Sequence, residues 1–211
     1  MRMRVRSTLA ALALVMLAAQ GCILIPEIQK RVVELAVGGS TTQEFVASGE
    51  LNVHDQRDTV DISTAIDLPQ ILDQAGIDIS DVEDIRLAGV YYRVTQPDPT
   101  ANREIQNGTV TIQRGLGGAE TSLVDNFNVA INDPANASFQ PGNLAAPGVT
   151  VVNQLLADIL TALKAGLPPP NGVVITHVNG TSSPGNVATN FKYELRIDLS
   201  IVGTVHVDVP N

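Results

Sequence analysis

One cysteine, no tryptophan and only three histidines occur in 211 residues, and 13 basic side chains face 22 acidic ones. Each shortage excludes something. A lone cysteine permits no internal disulfide, so packing must hold the fold. Three tyrosines and four phenylalanines offer few of the aromatic faces on which sugars and bases stack. The acidic excess repels nucleic acid and anionic headgroups, so no nucleic-acid partner is expected. The histidines, His54, His177 and His206, include no pair at a metal-binding spacing such as His-x3-His. There is no Gly-x-Ser-x-Gly nucleophile turn. No cofactor is called for, and the chain is expected not to be an enzyme.

A long hydrophobic run is also missing. Leu9–Ala19 is an apolar stretch of eleven residues, against the roughly 20 that cross a bilayer. Three arginines precede it within Met1–Arg6, and small residues end it. That is the layout of a secretory signal peptide over 1–21. The sole cysteine follows directly. Ala19-Gln20-Gly21-Cys22 resembles the lipobox of bacterial lipoproteins, although Ala19-x-Gly21 also reads as an ordinary small-x-small cleavage site. The resemblance covers the first 22 residues. It implies cleavage before Cys22, a diacylglycerol on its thiol and acylation (palmitate, for example) of its new amine. Membrane attachment needs more than one acyl chain to be stable, and an acylated Cys22 meets that need. Ile23 stands where inner-membrane lipoproteins of enteric bacteria usually carry Asp, which implies the outer membrane of the cell envelope. Cys22 is thus expected to be the attachment point of an exported, membrane-anchored protein.

Setting residues 1–21 aside removes three arginines and no acid, taking the net charge from −9 to −12. The rest is expected to comprise a short tether over 22–31 and a single β-sandwich domain over 32–211. The tether spans at most ~35 Å when extended, which keeps the domain near the membrane.

The clearest element is a strand over 191–201. Phe191, Tyr193, Leu195, Ile197, Leu199 and Ile201 alternate with polar residues, the period-two pattern of a half-buried strand. Weaker strands are expected at Val33–Val37; at Phe45, Ala47, Leu51 and Val53 across Gly49; and at Val60 and Ile62. Others are expected at Val110 and Ile112; at Leu123, Phe127, Val129 and Ile131; and at Val173, Ile175 and His177. Ile85–Val94 is apolar on both parities and is expected to be a central strand buried on both faces. Asn107-Gly108 reads as a turn, and Asp55–Asp58 as a hairpin turn between Val53 and Val60. Long loops are expected at Thr95–Asn107, Asn132–Gly148 and Asn179–Asn186. By parity His54 and His206 should point outward and His177 inward. Eight to ten strands indicate a mainly β fold, an antiparallel β-sandwich.

Two helices are expected. A short one spans about 68–75, with Asp67 as N-cap, Pro69 in the first turn and Gly76 at its end. A second spans about 151–165, capped by Thr150 and stopped by Gly166 and Pro168-Pro-Pro170. Its apolar face is Val152, Leu155, Leu156, Ile159, Leu160 and Leu163; its outer face is Asn153, Gln154, Asp158 and Thr161. It should lie on a sheet edge or close one end.

The acidic run Asp78–Asp84 raises a calcium reading through Asp78, Asp81, Glu83 and Asp84. The EF-hand pattern is missing, and Ser80-x-x-Glu83 reads more simply as a capping box, with Val82 and Ile85 turned inward. No catalytic constellation emerges. The functional expectation is a lipid-anchored bacterial envelope protein, a non-catalytic structural or interaction module with an envelope protein as possible partner. The alternative is a carrier of a lipid or other apolar ligand in a pocket between sheet and helix.

Overall fold

The computed structural model describes residues 30–208, with side chains described over 35–205. Residues 34–204 form one compact unit. The signal peptide, Cys22 and most of the expected tether lie outside the described residues.

Eight strands build two sheets: β1 (Lys30–Ser48), β2 (Val53–Asp61), β3 (Val82–Gln96), β4 (Glu104–Arg114), β5 (Thr121–Ala130), β6 (Gln140–Pro141), β7 (Val173–Ser183) and β8 (Asn190–Asp208). One sheet has the order β1-β8-β3-β6, the other β2-β7-β4-β5. Of the connections, only β4–β5 stays within a sheet; every other one crosses between sheets. This is the strand order of an eight-stranded jelly roll, the form that the expected antiparallel sandwich takes.

The alternation over 191–201 reappears as burial: Phe191, Tyr193, Leu195, Ile197, Leu199 and Ile201 all face the other sheet. Ile85–Val94 is central, between β8 and β6, but only one of its faces is buried. Its double parity has another cause. A register shift between Leu87 and Gly89 inserts one residue, so Ile85 and Leu87 face inward before it and Val90 and Val94 after it. The bulge is braced from outside: Asn153 Oδ1 accepts the Leu87 N–H at 2.8 Å.

Asn107-Gly108 is likewise a bulge inside β4, not a turn. Asn107 has φ 51°, and the register with β7 shifts between Gln106 and Thr109. The Phe127 ring covers Gly108 so closely that a Cβ there would lie 2.3 Å from it. Asp55–Asp58 is not a turn either. These residues lie in β2 and pair with β7, Asp55 with Asn179 and Asp58 with Thr176. The turn comes earlier, at Gly49 with φ 84°. It sends β2 to the other sheet, so the parity expected across Gly49 fails. Phe45 and Ala47 are buried, whereas Leu51 and Val53 are 48% and 60% exposed. Ile62 follows β2 in a single helical turn, α1 (Ile62–Ala65). In β7 the inward residues are Val174, Thr176 and Val178, not Val173, Ile175 and His177, and β7 runs into the expected 179–186 loop as far as Ser183.

Helix α2 (Leu68–Ala75) has the expected limits. Asp67 accepts the Gln70 N–H, and Gly76 closes it with φ 67°. Helix α3 (Ala146–Lys164) begins earlier than expected. Thr150 does not cap it; its hydroxyl donates to Ala146 O at 2.9 Å within the helix. The start has no side-chain cap at all, with Ala145 at that position. Its end is a Schellman closure: Gly166 N–H donates to Leu163 O and Leu167 N–H to Ala162 O. Val152, Leu155, Leu156, Ile159 and Leu160 are buried against β3, β4 and β5. Helix α3 therefore touches both sheets and faces α1 and α2 across one end of the sandwich.

Elsewhere the β3–β4 and β7–β8 loops are tied by one fully buried side chain. Arg103 donates from Nη1 to Pro184 O (2.9 Å) and from Nη2 to Val187 O (3.0 Å) and Ala188 O (3.1 Å). Its Nε lies 3.2 Å from Asp98 Oδ2, and both side chains are wholly inaccessible. Burial opposes the charge on Asp98. The Asn190 and Thr100 N–H groups, the Thr100 hydroxyl and Arg103 outweigh it and hold the carboxyl below its usual range.

Two glycines separate contact from conformation. A Cβ on Gly148, in the first turn of α3, would meet Ser122 O at 2.3 Å and Leu123 Cα at 2.6 Å, both rigid backbone. Gly166 has open space but φ 66°. Gly148→Ala should cost about 1–3 kcal/mol or more through overpacking, and Gly166→Ala about 1 kcal/mol through its left-handed backbone. Urea unfolding of the two variants should return that order.

Candidate functional site: a cavity between the sheets

The jelly roll is not filled along its β5–β6 side. Strand β6 has two residues, and the chain after it crosses the gap. Gly142 N–H donates to Val90 O (2.7 Å) in one sheet, and Ala145 N–H to Leu123 O (2.9 Å) in the other. Behind this crossing lies a cavity of about 230 Å3. Its walls are apolar: Val90, Val94, Ile105, Val110, Val178 and Leu195 all line it. It opens beside Asn128, Pro141 and Asn143, which are exposed. Four of the few aromatic side chains are on its wall, those of Tyr92, Phe127, Phe191 and Tyr193, while the Tyr91 ring lies under the Arg196 guanidinium on the other face of the sheet. A second apolar cavity of about 220 Å3 lies between helix and sheet, against Ile62, Leu68, Ile85, Leu156, Ile159 and Leu199.

His54 is on the wall of the first cavity. The expectation that it points outward is wrong: it is 1% exposed, because the Gly49 turn reverses the parity read from β1. Its Nδ1 is 2.9 Å from Glu50 Oε2, and its Nε2 is 3.0 Å from Tyr193 Oη. Glu50 also accepts from Asp55 N–H (3.2 Å) and Gln56 Nε2 (2.6 Å). A carboxylate offers no hydrogen, so His54 donates through Nδ1–H and accepts the Tyr193 hydroxyl at Nε2. Aromatic packing fixes the chain. Tyr193 stacks on Phe45 at 5.1 Å and 9°, and the His54 ring lies 5.6 Å from Phe191.

Burial lowers the His54 pKa from its ordinary value, against the opposing pull of Glu50. Burial, helped by the Glu50 charge, pushes the Tyr193 hydroxyl well above the usual tyrosine range. Both groups are neutral at neutral pH. A separate polar link lies further along β2 and β7: Thr176 donates to Gln43 Oε1 (3.0 Å), and Gln43 Nε2 to Asp58 Oδ2 (3.1 Å).

The other candidates lie apart. His177 is on the outer face, not inward as expected, with Nε2 2.8 Å from Asp55 and Nδ1 3.2 Å from Glu120; Arg57 pairs with Glu120 at 3.1 Å. The side chain of His206 lies outside the described residues. The calcium candidates are not gathered around one point. Asp78, and not Ser80, caps the turn Ile79–Asp81, by accepting the Ser80 N–H and hydroxyl. Asp81 ends that turn, Glu83 is exposed, and Asp84 pairs with Arg86. Val82 and Ile85 do turn inward. Among the described residues no group of three or more His, Cys, Asp or Glu side chains could hold a metal. Sequence reasoning missed Glu50 and Tyr193 as partners of His54. The partners of His54 lie four residues before it and 139 after it, and only the fold joins the second.

No family model matches the sequence, and no curated protein matches it. Among solved structures, turnip yellow mosaic virus is similar over 84% of this chain and 98% of that one, at 10% identity and a TM-score of 0.33. Desmodium yellow mottle tymovirus covers 86% and 92%, at 8% identity and a TM-score of 0.30. The BFDV capsid protein covers 81% and 99%, at 11% identity and a TM-score of 0.31.

The lowered His54 pKa has a consequence for stability. An unfolded histidine takes up its proton near pH 6.5, whereas folded His54 resists it to lower pH. Between the two values the unfolded state binds more protons, so stability is full above about pH 6.5 and is lost as pH falls below it. The urea midpoint should drop between pH 7.5 and 5.5, and drop less in His54→Gln.

Proposed function

We propose that this chain is a lipid-anchored, non-catalytic binding protein of a bacterial cell envelope, which takes up a small apolar molecule between its two sheets. The observation that carries the reading is the cavity itself. It is apolar, large enough for one small ring, open at one side and lined by four of the seven Phe and Tyr side chains. The ligand pocket anticipated between sheet and helix is here placed mainly between the sheets. A binding role, not catalysis, is supported by His54, whose two ring nitrogens are both engaged and which is 1% exposed. Anchoring through acylated Cys22, with the outer membrane favoured by Ile23, is supported by the lipobox resemblance.

A second reading, an interaction module for an envelope protein partner, is favoured by one observation. Leu51, Val53 and Val187 are large apolar residues exposed by 48%, 60% and 39%. Their segments are joined where Asn52 accepts the Ser182 and Asn186 N–H groups.

Toluene tests the binding reading. A ligand that binds only the folded state stabilises it by mass action, so saturating toluene should raise Tm by a few degrees. Val110→Phe, which fills the cavity, should abolish the shift. No shift in the native protein contradicts the reading. The anchor is tested by metabolic palmitate labelling in a bacterial host. The native chain should take label and partition to membranes, and Cys22→Ser should do neither. An unlabelled, soluble native protein contradicts it.

A further inference from the structure

We propose that the molecule this cavity selects carries a hydroxyl group, bound by donation to the phenolic oxygen of Tyr193. The inference rests on the cavity being a binding site and names the chemistry that it reads.

His54, Phe191 and Tyr193, all buried, stand together on the cavity wall. Glu50, occupied by Asp55 N–H and Gln56 as well as His54, is an acceptor and orients the whole chain. Nδ1–H points to Glu50, so Nε2 of the neutral ring has only a lone pair to offer. Tyr193, 3.0 Å away, fills it with its hydrogen. The tyrosine has then spent its one donor, and its oxygen keeps lone pairs alone. The wall therefore presents a hydrogen-bond acceptor with no hydrogen to give, set among Ile105, Val110, Val178 and Leu195.

That polarity discriminates. A carbonyl or ether oxygen turned toward Tyr193 meets lone pair against lone pair and loses its water without replacement. A carboxylate meets the same lone pairs with the Glu50 charge behind them. An ammonium must be stripped of water in an apolar cavity, at a cost that one neutral oxygen does not offset. A hydroxyl donates to Tyr193 and leaves the rest of the molecule on the apolar walls. Size narrows the class further. A cavity of about 150 Å3 lined by apolar side chains holds benzene, so about 230 Å3 suits one ring with small substituents. The class is a compact alcohol or phenol.

Three probes with the same number of heavy atoms separate the possibilities: 4-methylcyclohexanol, 4-methylcyclohexanone and 1,4-dimethylcyclohexane. Each is titrated calorimetrically into the purified protein, and also into protein carrying 13Cζ-labelled tyrosine observed by NMR. The alcohol should bind about tenfold more tightly than the ketone. It alone should shift the Tyr193 resonance strongly, and the hydrocarbon should bind without that shift. Equal affinity for alcohol and ketone, with the hydrocarbon bound, overturns the hydroxyl inference and leaves the cavity a binding site. A preference for the alcohol with no change at Tyr193 overturns the assigned acceptor. Binding of none of the three overturns the inference and the binding reading together.

Discussion

Two β-sheets packed face to face stay about 10 Å apart, and that gap has to be filled by side chains of alternate residues. The rest of this structure depends on how the gap is filled. Over most of its extent it is filled by buried β-branched and aliphatic residues, among them Ile197, Leu199 and Ile201 of β8, Val174 of β7 and Ile112 of β4. At the helical end α3 closes it with Leu155, Leu156 and Ile159, reaching both sheets at once. On the β5–β6 side the filling gives out. Strand β6 is too short to carry an inner face, and the chain spends the next residues crossing from Val90 to Leu123. The walls stay apart there because their own hydrogen bonds fix them, and a cavity remains.

The same gap explains the buried polar groups. His54 enters it because the turn at Gly49 moves the chain to the opposite sheet. Once inside, both its ring nitrogens need partners, and Glu50 and Tyr193 supply them from the turn and from β8. Each group in the chain is satisfied by the next, which makes the order of donors and acceptors definite and gives the cavity its chemical sense. The Arg103–Asp98 pair solves a similar problem in the loops. Three carbonyl groups in the 184–188 segment all accept from one guanidinium. Such a pair is costly to bury and more costly to break, so it fixes two loops together.

Much of the architecture was legible in the amino-acid sequence because it depends on local pattern. The strand over 191–201, the helix over 68–75 with Asp67 and Gly76 at its ends, and the apolar face of α3 each follow from periodicity and capping chemistry. What was not legible depends on bulges and on sheet exchange. A single inserted residue, Ala88, makes β3 look buried on both faces. The bulge at Asn107-Gly108 uses the same positive φ as a tight turn and so carries the same residue signature. Parity cannot be carried across Gly49, which is why His54 was read outward. In β7, apolar residues occupy both parities. Thr176, which looks like the outward residue, takes the inner place, where its hydroxyl donates to Gln43. Arg103 gave no signal at all, since Asp98 close by is an ordinary loop acid in sequence and the carbonyl partners lie more than eighty residues away.

Seven Phe and Tyr residues over 211 positions offer few stacking faces, and four of their side chains gather on one cavity wall, a clustering that no count reveals. The central claim is that this space persists in the folded protein as an apolar cavity and is not closed by repacking. A crystal structure determined under xenon pressure tests it most directly, because xenon enters dry apolar cavities and reports their position. The account predicts a xenon atom between the sheets, in contact with Val90, Val110 and Leu195. Side chains closed over that space, with no xenon bound there, would contradict it.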